Sequence, residues 1–166
     1  MDIDDSAMAI ADTMGISFTQ LAPPGEERFE PISMSLIVSY WILHAVAAGI
    51  HDGIQESAKD ATVATVDAVG RSIRARIVPT RIRQLFDKEA RPTEAQSRQQ
   101  AADQVAEAQK KVAGLDSQSA AEIIGTTVSA VTQALADAGL NSAVAERVGQ
   151  TIDVQIRIII GDVSAD

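Results

Sequence analysis

The twenty residues from Pro31 to Ile50, PISMSLIVSYWILHAVAAGI, contain no aspartate, glutamate, lysine or arginine. On a helical wheel, Met34, Val38, Trp41, Ile42, Ala45 and Gly49 fall on the same face that carries Asp52, Glu56, Lys59, Asp60 and Asp67 beyond Ile50. A helix that is apolar on every side has to be surrounded, either by protein or by lipid. The run matches the length of a bilayer span, which takes about 20 apolar residues. Ser33, Ser35, Ser39 and His44 weaken it as a span, so the covering expected first is protein, from this chain or another, and a membrane is the alternative.

The helical pattern does not stop at Ile50. Pro31 suits a first helical turn, where its missing N–H has no intrahelical partner. No proline follows before Gly70, and Leu36, Ile37, Trp41, Ile42, Val46, Ile50, Ile54, Ala58, Ala61, Thr65 and Val69 recur at helical steps. Pro79 places a break near Val78. The spacing therefore predicts one long helix over about 31–78, packed with an antiparallel set of three or four shorter helices, in an all-α protein. Aromatics make up only 3% of the residues, so closely approaching helices are expected rather than a bulky core.

Three segments follow from this. Residues 1–30 hold the Pro23-Pro24-Gly25 turn signal and seven carboxylates against Arg28 alone, and predict an acidic, irregular arm with at most a short helix from Ser6 to Met14. Residues 31–92 form the segment running from apolar to basic. Residues 93–166 predict a small bundle, opened by a capping box at Thr93-Glu94-Ala95-Gln96. Within it Ala101, Val105, Ala108 and Val112 follow the 4-3-4 spacing of a small-residue seam, with Gly114 as a stop.

An internal echo relates 113–128 to 138–152. Ala113-Gly114-Leu115-Asp116-Ser117 is answered by Ala138-Gly139-Leu140-Asn141-Ser142, and each precedes a helix that the Asp or Asn would cap. Residues 151–160 fit a strand through Val154, Ile156, Ile158 and Ile160, or a helix through Val148, Ile152, Ile156 and Ile159; helix is the expectation.

The sequence contains little that suggests catalysis. Without cysteine there is no disulfide, thiolate nucleophile or Cys-based metal site. Phosphate-binding glycine loops, a nucleophile elbow and paired His ligands at i and i+4 are also missing. His44 and His51 share a helix face about two turns apart, too far for one metal ion. With Ser33, Tyr40, Gln55 and Thr62 they form a polar stripe that would seal a helix seam or line the lumen of an oligomeric pore. Asp52 points off that stripe and is not expected to orient His51. Asp2, Asp4 and Asp5 lack the glycine and terminal glutamate of a calcium loop and read as a solvated tail. No cofactor, metal or catalytic residue is predicted, and the chain is not expected to be an enzyme.

Charge is organised in blocks. Five of the fourteen basic residues, Arg71, Arg74, Arg76, Arg81 and Arg83, lie in a stretch with no carboxylate. They form a basic patch suited to carboxylates, phosphates or an anionic membrane surface. The net charge of −9 argues against nucleic acid as a partner. The acidic N-terminus predicts no cleaved signal peptide and a cytoplasmic protein, membrane-associated under the alternative.

The function expected is therefore non-enzymatic: interaction or self-assembly through helix seams, with a protein partner or a second copy of the chain. Ile37, Trp41, Ile42 and Ile54, with Ala101, Val105, Ala108 and Val112, are the interaction candidates. The alternative is a membrane anchor or pore subunit using residues 31–70.

Overall fold

Helices account for all the regular structure in the computed structural model, which describes residues 3–22, 31–57, 62–87 and 89–160. The chain is all-α, in helices α1 Ile3–Met14, α2 Pro31–Ser57, α3 Thr62–Arg76, α4 Pro79–Phe86, α5 Glu94–Val112, α6 Ser117–Asp137 and α7 Ser142–Ile159, with a 3-10 segment at Gly15–Leu21.

The single long helix over 31–78 is not what forms. α2 and α3 are separate helices packed against each other. A Cβ on Gly49 would lie 2.9 Å from Ile73 Cδ1, and one on Gly53 would lie 2.6 Å from Val69 Cγ2. The later glycine meets the earlier residue of α3, so the two helices run antiparallel. The two glycines, four residues apart on one face, leave grooves into which the branched side chains of α3 fit. An unbroken helix over 31–78 would extend about 70 Å and leave that face uncovered; folding back buries it. Lys59 and Asp60 lie outside the described residues, as do the side chains of Ser33, Glu56 and Thr62.

α2 is the central element, touched by α1, α3, α5 and α6. Met34, Ile37, Val38, Ile42, Leu43, Val46 and Ile50 are all buried. This is how a helix with so much apolar surface is accommodated: packed neighbours cover most of it. By length and composition Met34–Gln55 is apolar enough to cross a membrane, yet 72% of that window is buried inside the fold.

Residues 3–22 are not an irregular arm. Ile3–Met14 is α-helical, and Ala7, Ile10, Met14, Phe18 and Leu21 are buried in the common core. Gly15, at φ +55°, turns the chain from α-helix to 3-10. Ser6 Oγ donates to Gln155 Oε1 at 3.0 Å and the Thr13 and Thr151 hydroxyls meet at 2.8 Å, fastening α1 to α7. Pro23-Pro24-Gly25 lies outside the described residues.

Local signals in the remaining chain act as the sequence predicts. Val78 is extended and Pro79 opens α4. Thr93 Oγ1 accepts from the Gln96 amide, and the Gln96 side chain accepts from the Thr93 amide. Asp116 and Asn141 cap α6 and α7. Residues 151–159 are helical, with Val148, Ile152, Ile156 and Ile159 buried and Val154 exposed.

The two halves of the echo differ in detail. Gly139 adopts φ +120° whereas Gly114 does not enter the left-handed region. Gly149 abuts Thr132 on α6, whereas a Cβ on Gly125 would meet nothing within 4 Å.

Candidate functional site

The residues singled out for interaction turn out to hold the fold together. Ile37, Ile42 and Ile54 are buried on α2, and Ala101, Val105, Ala108 and Val112 are buried on α5, the helix that α2 contacts most extensively. The seam predicted to receive a partner helix receives α2 of the same chain. Trp41 is half-buried and lines a cavity with residues of α4 and α5.

The polar stripe of Tyr40, His44 and His51 divides into three environments. The Tyr40 hydroxyl donates to Asp4 Oδ1, which also accepts from Arg98 Nε at 2.7 Å. Burial first, then the Asp4 carboxylate, hold the Tyr40 phenol well above its ordinary range, while the bonds from Arg98 and Tyr40 hold Asp4 below the usual carboxylate value. Asp4 is thus part of a half-exposed link between α1, α2 and α5, rather than a free solvated tail. His44 is shifted down, first by loss of hydration and then by Arg76 and Arg81. His51 meets Asp52 after all, Nδ1 to Oδ1 at 3.2 Å.

Beside that pair, Arg76 Nη1 lies 3.8 Å from Asp52 Oδ2 and donates to Ser72 Oγ at 2.9 Å. Among the described residues, no three His, Asp or Glu side chains are grouped to hold a metal ion.

The basic patch is spread over two helices. Arg71 and Arg74 on α3 and Arg81 and Arg83 on α4 are exposed, whereas Arg76 is half-buried against Ser72 and Asp52.

Two concave features remain. A trough of about 370 Å³ lies along α1, the 3-10 segment and α2, lined by Met8, Ala11, Asp12, Ile16, Phe18 and Leu36. Met8 is 55% and Ile16 81% exposed. Asp5, Met8 and Asp12 follow one another at steps of three and four on the outward stripe of α1, and Ile16, from the 3-10 segment, joins Met8 in the trough.

The second feature is a cavity of about 250 Å³ between α2, α4 and α5, with Trp41, His44, Arg81, Gln84, Ser97 and Gln100 in its wall. The sequence reading passed over both. Ser97 continues the α5 seam one step back from Ala101, a legible signal; the stripe on α1 was hidden by weak periodicity and the nearby prolines.

No family model matches the chain, and no curated protein and no solved structure matches it.

Proposed function

We propose that the chain is a non-enzymatic, cytoplasmic interaction protein that self-associates head to tail, the acidic-apolar stripe of α1 in one copy meeting the arginine face of α3 and α4 in the next. The observation that carries this is the exposure of Met8, between Asp5 and Asp12 on α1, and of Ile16 just beyond them in the 3-10 segment. Large aliphatic groups bordered by charge on an outward helix stripe are what a protein contact uses. A complementary surface is present in the same molecule, where Arg71 and Arg74 are exposed on α3 beside the exposed Val66. Two copies of the α1 stripe would repel each other across a twofold axis, so a heterologous contact is favoured.

Mixing two variants tests this reading in sedimentation velocity. The Asp5→Lys/Asp12→Lys variant keeps an intact arginine face, and Arg71→Glu/Arg74→Glu keeps an intact α1 stripe. Each alone should sediment as a monomer, the wild type as a larger species, and the equimolar mixture as a larger species again, because the native faces pair and the two reversed faces also complement each other. A wild type that stays monomeric across the accessible concentration range overturns the proposal.

The membrane alternative rests on one observation, the length and apolarity of Met34–Gln55. It requires α2 to leave its neighbours. Flotation with vesicles containing anionic lipid, lost in Trp41→Glu, would support it. Soluble protein that fails to float removes it.

A further inference from the structure

In a chain of net charge −9, the cavity beside Trp41 is unusual for what lines it. The wall holds one guanidinium, one imidazole, two carboxamides and one hydroxyl, with no carboxylate among the described residues. Arg81 takes part in no ion pair among those residues. Ser97 is 4% exposed, and its Oγ has no hydrogen-bond partner among the described residues. A buried hydroxyl left without a partner is costly and rare in native proteins, and a bound molecule is one of the usual resolutions.

The lining also limits what could fill it. At about 250 Å³ the cavity falls below the range of about 300–1,000 Å³ typical of sites for drug-sized ligands. Leu85, Ala90 and Pro92 join Trp41 in giving it apolar walls, suited to a flat unsaturated body against the indole. A guanidinium fork matches one carboxylate in geometry and charge. A phosphate dianion would call for a second cation, and around the cavity Arg76 is held by Ser72 and Asp52 while Arg91 is held by the carbonyls of Leu85 and Phe86.

We propose that this cavity is a binding site for a small flat monocarboxylate, its anion held by Arg81 and Ser97 and its unsaturated body resting against Trp41. Gln84 and Gln100 supply further amide donors.

Trp41 is the sole tryptophan, so its fluorescence reports on this site alone. The probe is benzoate, titrated by Trp41 emission and independently by calorimetry. Saturable binding is expected, weakened roughly tenfold in Arg81→Gln and several-fold in Ser97→Ala. Arg83→Gln should stay within about twofold of wild type. Inorganic phosphate at equal concentration should not displace benzoate, and cyclohexanecarboxylate should bind more weakly. Absence of saturable binding by both methods, or benzoate affinity unchanged in Arg81→Gln, overturns the site. Displacement by phosphate overturns the ligand class. Arg81 is exposed, so its replacement reads out on a folded protein even if Ser97→Ala perturbs the core.

Discussion

Tyr40 donates its hydroxyl proton to Asp4 Oδ1 across 2.5 Å, joining the N-terminal helix to the central one. Tyr40→Phe removes that bond from a buried position and should destabilise the fold by about 1–2 kcal/mol. The pH dependence has two arms. Asp4 titrates below its unfolded value of 3.8, so its contribution is present above 3.8 and is lost as pH falls through the lower folded value. The Tyr40 phenol titrates above its unfolded value of 10.0, so its contribution is present below 10.0 and is lost as pH rises beyond it. Urea denaturation of wild type and Tyr40→Phe across these ranges should show the two curves converging at both extremes; a constant offset would disconnect the pair from stability.

Gly53 and Gly125 should respond in opposite directions to the same substitution. A Cβ at Gly53 falls 2.6 Å from Val69 Cγ2, a stiff β-branched group, so Gly53→Ala should cost about 1–3 kcal/mol. At Gly125 a Cβ meets nothing within 4 Å, so Gly125→Ala should stabilise by about 0.5–1 kcal/mol through helix propensity alone. Thermal melts of the two variants check this, and a stabilised Gly53→Ala would contradict the close approach of α2 and α3.

His44 should make the fold sensitive to mild acid. Its unfolded imidazole titrates at 6.5, and in the fold desolvation, then Arg76 and Arg81, push it lower. Between the two values the unfolded chain holds a proton that the native chain does not, so falling pH favours unfolding. The stability difference between wild type and His44→Gln should be constant above 6.5 and shift against wild type below it. A difference independent of pH would show that the imidazole is not desolvated.

Ala108 tests whether the α5 seam is closed within the chain. It is fully buried, so Ala108→Leu should overpack the contact with α2 and cost about 1–3 kcal/mol. Ile16→Glu should leave stability within about 0.5 kcal/mol, since Ile16 is 81% exposed, while weakening self-association. Chemical denaturation of both, beside sedimentation of the second, separates interior from surface; equal losses of stability would erase the distinction.

Much of the local structure was legible in the chain because its causes are local. Thr93 and Gln96 satisfy one another's backbone amides whatever lies elsewhere, and Val78 avoids the helical region because Pro79 follows it. The candidate sites were less legible. Ser97 lies in step with Ala101, but that its hydroxyl lacks a partner depends on the neighbours that α2 and α4 bring to it.

The sequence by itself determined that the chain is helical, that Pro31–Ile50 must be covered on all sides, and that Ala101, Val105, Ala108 and Val112 form a seam for a closely approaching helix. Only the tertiary structure decided that α2 fills that seam and that α3 folds back onto Gly49 and Gly53. Hydrophobic burial has no direction and does not distinguish one apolar partner from another. Periodicity can therefore mark the face to be covered, while steric fit between particular side chains selects what covers it.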